Sequence, residues 1–241
     1  VLFRSDISIS ASLGILTRDQ ARQLLTLARK LGINLIDTAP AYGVSEERLG
    51  PLLAGQREDW VIVSKVGEEF ENGQSRFDFS AAHTRFSVER SLKRLRTDRI
   101  ELVLVHSDGN DVAILRDSGV YETLAELKRE GKILAFGLSG KTVDGGLLAL
   151  QQGDCAMVTY NLNEQAERPV LDYAAAHGKG ILIKKALASG HACLKPGDDP
   201  VRRSFELLFG HPGVSGAIIG TINPQHLTSN VATAAAVLTG D

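Results

Sequence analysis

Four residues of types that hold or move protons lie at the ends of three apolar runs. Asp37 ends the run 33–36 in Asn34-Leu-Ile-Asp-Thr-Ala-Pro-Ala-Tyr-Gly43, and Tyr42 follows five residues later. Lys65 ends Trp60-Val-Ile-Val-Ser-Lys65, and His106 ends Ile100-Glu-Leu-Val-Leu-Val-His106. Singly, each has an ordinary explanation: a turn carboxylate, a lysine whose stem covers apolar surface, a satisfied core histidine, a tyrosine over a hydrophobic patch. Jointly they form a device for delivering a proton. A phenol, with an ordinary pKa of about 10, is a poor acid near neutrality unless a cation stabilises its anion. Lys65 is that cation, Asp37 holds it, and His106 bonds or orients a carbonyl oxygen. Tyr42 then protonates that oxygen as a hydride reaches carbon. No side chain supplies a hydride, so a nicotinamide cofactor is implied.

Such a device needs elements that bring strand ends to one height. Thr17 with Gln20 forms a capping box ahead of an apolar stripe, which predicts a helix over 17–31. Strand 33–37 leads to a helix over 45–53, with Ser45 as its cap and Glu46 and Glu47 at the positive end of its dipole. Strand 60–66, a polar loop over 67–80 and helix 81–95 come next. Strand 100–105 and a loop over 106–111 precede helix 120–129. Four further strand–helix pairs follow: 133–138 with 143–151, 155–160 with 169–177, 181–183 with 201–209, and 214–219 with 224–238. A loop rich in Gly and Pro separates strand 181–183 from its helix.

Strands apolar on both faces, each followed by an amphipathic helix, predict a parallel sheet covered by helices. Seven units are visible, one short of a (β/α)8 TIM barrel, whose catalytic groups lie at the C-terminal strand ends. A doubly wound open sheet would bring a Gly-rich turn after its first strand, and Gly43-Val-Ser-Glu lacks one. The α/β barrel is therefore the expected fold.

These residues resemble the aldo-keto reductase family from about position 18 onward. The resemblance is carried by Gly32-Ile-Asn-Leu-Ile-Asp-Thr-Ala-Pro-Ala-Tyr-Gly43, Val63-Ser-Lys-Val-Gly67, Leu104-Val-His-Ser-Asp108, Gly131-Lys-Ile-Leu-Ala-Phe-Gly-Leu-Ser139, and Ile219-Gly-Thr-Ile-Asn-Pro224 with Asn230. It implies a barrel enzyme that reduces aldehydes and ketones with NADPH or NADH and without metal. Its catalytic Asp, Tyr, Lys and His fall on Asp37, Tyr42, Lys65 and His106.

The cofactor positions implied by the resemblance match less closely. Where the family has Ser-Asn for the nicotinamide carboxamide, this chain has Ser139-Gly140, and Met157 stands for a Gln bound to the same amide. Lys184 falls about where an aromatic ring would stack, with Lys185 beside it. Gly220 and His226 replace a cationic clamp for the 2′-phosphate, so weak discrimination between NADPH and NADH is expected. Thr221, Asn223 and Asn230 remain hydrogen-bonding candidates, and Asn223 also suits an N-cap.

Residues 1–17 carry neither the family's N-terminal hairpin nor its first strand in recognisable form. The expectation is a domain over 18–241, with 1–17 a non-family or truncated end and the first strand and hairpin truncated or degenerate. The start at Val1 without Met reads as a fragment, and strands 33–36 and 214–219 would then expose unpaired edges.

The 241 residues carry a net charge of −2, which gives no reason to expect nucleic acid or an anionic membrane as partner. Two cysteines make no CxxC pair and no long apolar run is present, so a cytoplasmic protein is the expectation. A small carbonyl or alcohol is the expected partner, with specificity set by loops 67–80, 107–119 and 188–200. Competing classes are a non-catalytic dinucleotide-binding or regulatory barrel, an inactive fragment, and a metal-dependent hydrolase. His106 with Asp108 and Asp111 is too sparse a ligand set for the last, and Ser189-Gly190 is only a faint phosphate-loop signal.

Overall fold

The computed structural model describes residues 7–10, 16–187 and 199–241, the first stretch in its backbone alone. Eight parallel strands close a barrel. They are β1 (Ile7–Ser10), β2 (Leu35–Asp37), β3 (Val61–Val66), β6 (Ile100–His106), β7 (Ile133–Ser139), β8 (Cys155–Thr159), β9 (Gly180–Lys184) and β10 (Gly216–Ile219). β1 pairs with both β2 and β10, through Ile9 opposite Ile36 and Ile7 opposite Ala217. The expected open edges are therefore a misreading: a four-residue strand inside 1–17 fills the gap. The alternation of Ile7 and Ile9 is the one trace of it in the sequence, too short to set a period.

The register explains how one strand end comes to face another. Asp37 lies opposite Val63, and Lys65 stands two residues further along β3, opposite Leu104. His106 stands two residues beyond Leu104, opposite Ser139, which in turn lies opposite Met157. Steps of two keep every one of these side chains on the same face of the sheet. That face is the barrel interior, where Leu35, Val63, Leu102, Leu104, Ala135, Cys155, Met157, Leu182 and Ile218 pack together below the polar ends. Gly137 belongs to this layer, and a Cβ there would lie 1.8 Å from the Cys155 carbonyl oxygen, so no larger residue fits. The alternate face of each strand packs against the helices in a second, larger cluster.

The helices follow the predicted pattern closely. α1 (Arg18–Lys30) starts at the Thr17–Gln20 capping box. α3 (Ala81–Leu95), α5 (Val120–Arg129), α6 (Val143–Gln152), α7 (Arg168–His177), α8 (Pro200–Phe209) and α9 (Pro224–Thr239) cover the strands. α2 (Ser45–Leu52) departs from expectation, because Val44 rather than Ser45 takes the N-cap position. The Ser45 hydroxyl accepts from Thr38 Oγ1 at 2.9 Å, and Glu46 turns inward to accept from Ser64 Oγ at 2.7 Å.

Two of the expected loops contain structure. Residues 67–80 hold an antiparallel hairpin, β4 (Glu68–Glu71) with β5 (Gln74–Phe77), joined at Asn72-Gly73 with both residues at positive φ. That Asn-Gly step is the favoured two-residue hairpin turn, but the flanking strands lack an apolar face to reveal them. The segment 107–119 contains α4 (Asp111–Asp117). Loop 188–200 and Ser189-Gly190 lie largely outside the described residues. No helix among the described residues is long and apolar enough to cross a membrane.

Candidate active site

Asp37, Tyr42, Lys65 and His106 converge at the C-terminal mouth of the barrel, lining a cleft of about 1150 Å³. The Lys65 ammonium donates to Asp37 Oδ1 at 2.6 Å and to the Thr38 carbonyl at 2.9 Å, and both side chains of the pair are almost wholly buried. It also sits 4.7 Å from the centre of the Tyr42 ring. Burial works against its charge, but Asp37 and Tyr42 outweigh that cost and raise its pKa above the usual lysine value.

Tyr42 behaves differently from the simple expectation. Burial raises the phenol above its ordinary pKa, and the opposing pull of Lys65 does not reverse the shift. The hydroxyl is thus held protonated, the form an acid must have before it acts. Lys65 reduces the cost of the phenolate without making it the resting state.

His106 meets Tyr42 edge to face, with ring centres 6.3 Å apart. Glu68, carried in by the β4–β5 hairpin, brings Oε2 to 2.6 Å from His106 Nδ1. The approach is not aligned as a hydrogen bond, so Nδ1 has no hydrogen-bond partner among the described residues. Burial first, then the ammoniums of Lys65, Lys184 and Lys141, push the imidazole down to about 3. The imidazole is therefore neutral, because burial and the three cations outweigh the poorly aligned Glu68 carboxylate.

The cleft continues along Ser139, Lys184, Gly220, Thr221, His226 and Asn230, so six of the seven residues named for cofactor contact line it. Asn223 does not. Its Oδ1 caps α9, accepting from the backbone of Gln225 at 2.8 Å and His226 at 3.4 Å. Lys184 donates to the Gly140 carbonyl at 2.6 Å and to Ser139 Oγ at 3.3 Å, so it braces the turn after β7.

Two carboxylates outside the expected catalytic and cofactor residues shape this end of the cleft. Asp111 is buried and accepts from the backbone of Lys141 and Thr142, each at 2.8 Å, from Thr142 Oγ1 at 2.7 Å, and from Ser107 Oγ. It pins the Ser139-Gly140-Lys141 turn. Glu167 lines the cleft, and its Oε2 accepts from the backbone of Thr159 at 2.7 Å. Neither had a motif to announce it, since the Glu167 bond and half of those to Asp111 come from backbone groups.

The cleft runs from Tyr42 to the start of α9, and its size and lining suit a dinucleotide. Room, an unpaired buried acceptor on Glu167 and polar lining along the whole length are all present.

A model of the aldo/keto reductase family matches residues 10–204. The crystal structure of a putative aldo-keto reductase from Pseudomonas aeruginosa is similar over 98% of this chain and 92% of that one, with 70% identity and a TM-score of 0.92. An L-galactose dehydrogenase from Arabidopsis thaliana is 32% identical over 193 residues, 73% of this chain and 58% of that one. An NADH-specific methylglyoxal reductase from Escherichia coli is likewise 32% identical over 193 residues, spanning 73% of this chain and 59% of its own length. Matched through most of its barrel by the family's model, with the strand-end residues brought to one mouth, the chain belongs to the aldo/keto reductase family.

Proposed function

We propose that this chain reduces the carbonyl of a small aldehyde or ketone, or oxidises the corresponding alcohol, with Tyr42 as the proton donor. The observation that carries the reading is the buried Lys65 ammonium, bonded to Asp37 at 2.6 Å and seated beside the Tyr42 ring. A cation so placed is positioned to stabilise the phenolate left when Tyr42 gives up its proton. Asp37 keeps that cation charged and in place. His106, neutral, offers a ring nitrogen to the substrate oxygen and orients the carbonyl toward Tyr42. When bound, a reduced nicotinamide supplies the hydride to carbon. In the reverse direction the same phenol, deprotonated, accepts the alcohol proton.

Ser139, Lys184, Gly220, Thr221, His226 and Asn230 hold the dinucleotide in this reading, with Asn223 shaping the α9 entry as its cap. With Gly220 and His226 where a cationic clamp would stand, the preference for NADPH over NADH is small, and the name of the bacterial methylglyoxal reductase supports NADH as a usable donor. The names of the relatives point to sugars and short oxo-aldehydes as the substrates to try first. A cytoplasmic setting, where such cofactors and carbonyls occur together, is part of the proposal.

The test measures NADH and NADPH oxidation with methylglyoxal, aldoses and simple aldehydes, for wild type and Tyr42→Phe. Tyr42→Phe is expected to lower turnover by roughly two to four orders of magnitude while leaving dinucleotide affinity within about twofold. Undiminished reduction by the variant would remove Tyr42 from the role. A preference for NADPH beyond about 100-fold, near 2.7 kcal/mol, would contradict the cofactor assignment. Dinucleotide binding with no turnover of any carbonyl would instead favour a binding role.

A further inference from the structure

We propose that Glu167 and Lys184 form a two-point clasp for a primary carboxamide, the group carried by the nicotinamide ring. The proposal rests on the dinucleotide reading above and assigns to Glu167 a role that no motif indicates.

Of the three family positions for this amide only Ser139 keeps its type; the other two cannot do the work here. A side chain at Gly140 is excluded, since its Cβ would lie 2.9 Å from both Asp111 Oδ2 and Leu138 Cδ2. Asp111 cannot yield, because the same Oδ2 accepts three hydrogen bonds from Lys141 and Thr142. Met157, opposite Ser139 in register, offers only a thioether, which donates nothing and accepts weakly.

Glu167 sits on the loop between β8 and α7, at the α7 N-cap, yet its side chain does not cap that helix. It turns back into the barrel mouth, where the residue is only 7% exposed. Oε2 is used by Thr159, whereas Oε1 is buried with no hydrogen-bond partner among the described residues. An unpaired carboxylate oxygen in a cleft wall is a vacancy for a donor. Lys184 is its neighbour: it pairs in register with Thr159, the residue whose backbone Glu167 holds. The two charges act on each other. Of the three ammonium protons, Gly140 and Ser139 take two, and the third has no acceptor among the described residues.

The wall thus offers one free donor beside one free acceptor. A primary amide presents the complement, an oxygen for Lys184 and an N–H for Glu167. A carboxylate ligand would be repelled by Glu167 and an ammonium by Lys184, while a hydroxyl could serve both only from a single oxygen, where an amide spans them with two atoms.

Fluorescence titration tests this with NADH and reduced 3-acetylpyridine adenine dinucleotide, in which a methyl replaces the amide NH2. Glu167→Gln is the variant, since its amide oxygen can keep the Thr159 bond while a donor replaces the orphan acceptor. Wild type should prefer NADH by roughly tenfold, and E167Q should lower that preference to about one, with ADP-ribose affinity unchanged. A second variant, Lys184→Met, should erase a preference for NADH over its thionicotinamide analogue, whose sulfur is a poor acceptor. If wild type and both variants show the same preferences, the clasp is wrong while the dinucleotide reading stands. If wild type binds neither NADH, NADPH nor ADP-ribose, both fall together.

Discussion

At the scale of single residues, the site works by opposing burial against charge. Lys65 stays an ammonium because Asp37 and Tyr42 offset its desolvation, and Tyr42 stays a phenol because Lys65 does not fully offset its own. His106 has the opposite balance, with burial and three ammoniums holding it neutral and titrating near 3. An unfolded histidine titrates at about 6.5, so between these values the unfolded chain binds a proton that the folded chain refuses. Stability from this group is complete above about 6.5 and declines as pH falls toward 3. We expect wild type to lose about 1–2 kcal/mol more than His106→Gln between pH 6.5 and 4.5, measured by urea unfolding. Equal losses would mean that Glu68 keeps His106 charged in the folded protein.

At the scale of elements, the β4–β5 hairpin links the barrel mouth to a helix. Glu69 accepts from Arg90 at 2.5 Å and lies 3.2 Å from His83 Nε2, which fastens β4 to α3. The adjacent residue on β4 is Glu68, beside His106, with its other oxygen bonded to Ser75 at 2.5 Å. A loosened hairpin would therefore be felt first at the histidine. Glu69→Ala should raise the KM for carbonyl substrate roughly tenfold, the effect of about 1.4 kcal/mol, while dinucleotide affinity holds. An unchanged KM would show that the hairpin only decorates the rim. The hairpin was legible only at its Asn72-Gly73 turn, because exposed strands have no buried face to impose alternation.

At the scale of the whole molecule, closure depends on a strand of four residues. β1 touches β2 through two registered pairs and β10 through three. Without it, β2 and β10 would present bare backbone along their edges. Removing residues 1–10 should abolish cooperative thermal unfolding and promote aggregation, read by calorimetry and light scattering. A truncated chain that unfolds as sharply as the full one would show that β1 is dispensable.

What the amino-acid sequence determined by itself was the periodic part: the apolar runs, the capping box at Thr17, the helix faces, and the strand-end placement of Asp37, Lys65 and His106. Burial imposes those patterns along the chain, so they are readable along the chain. Only tertiary structure decided the rest. The two-residue steps in register aim three strand ends at one point, and pairing with β2 and β10 makes a strand of Ile7–Ser10. Ser45 and Glu46 turn inward because Thr38 and Ser64 wait there, and Asn223 faces its own helix. Glu167 acts on a backbone group 8 residues away and Asp111 in part on backbone about 30 residues away, and bonds to backbone leave no trace in residue type.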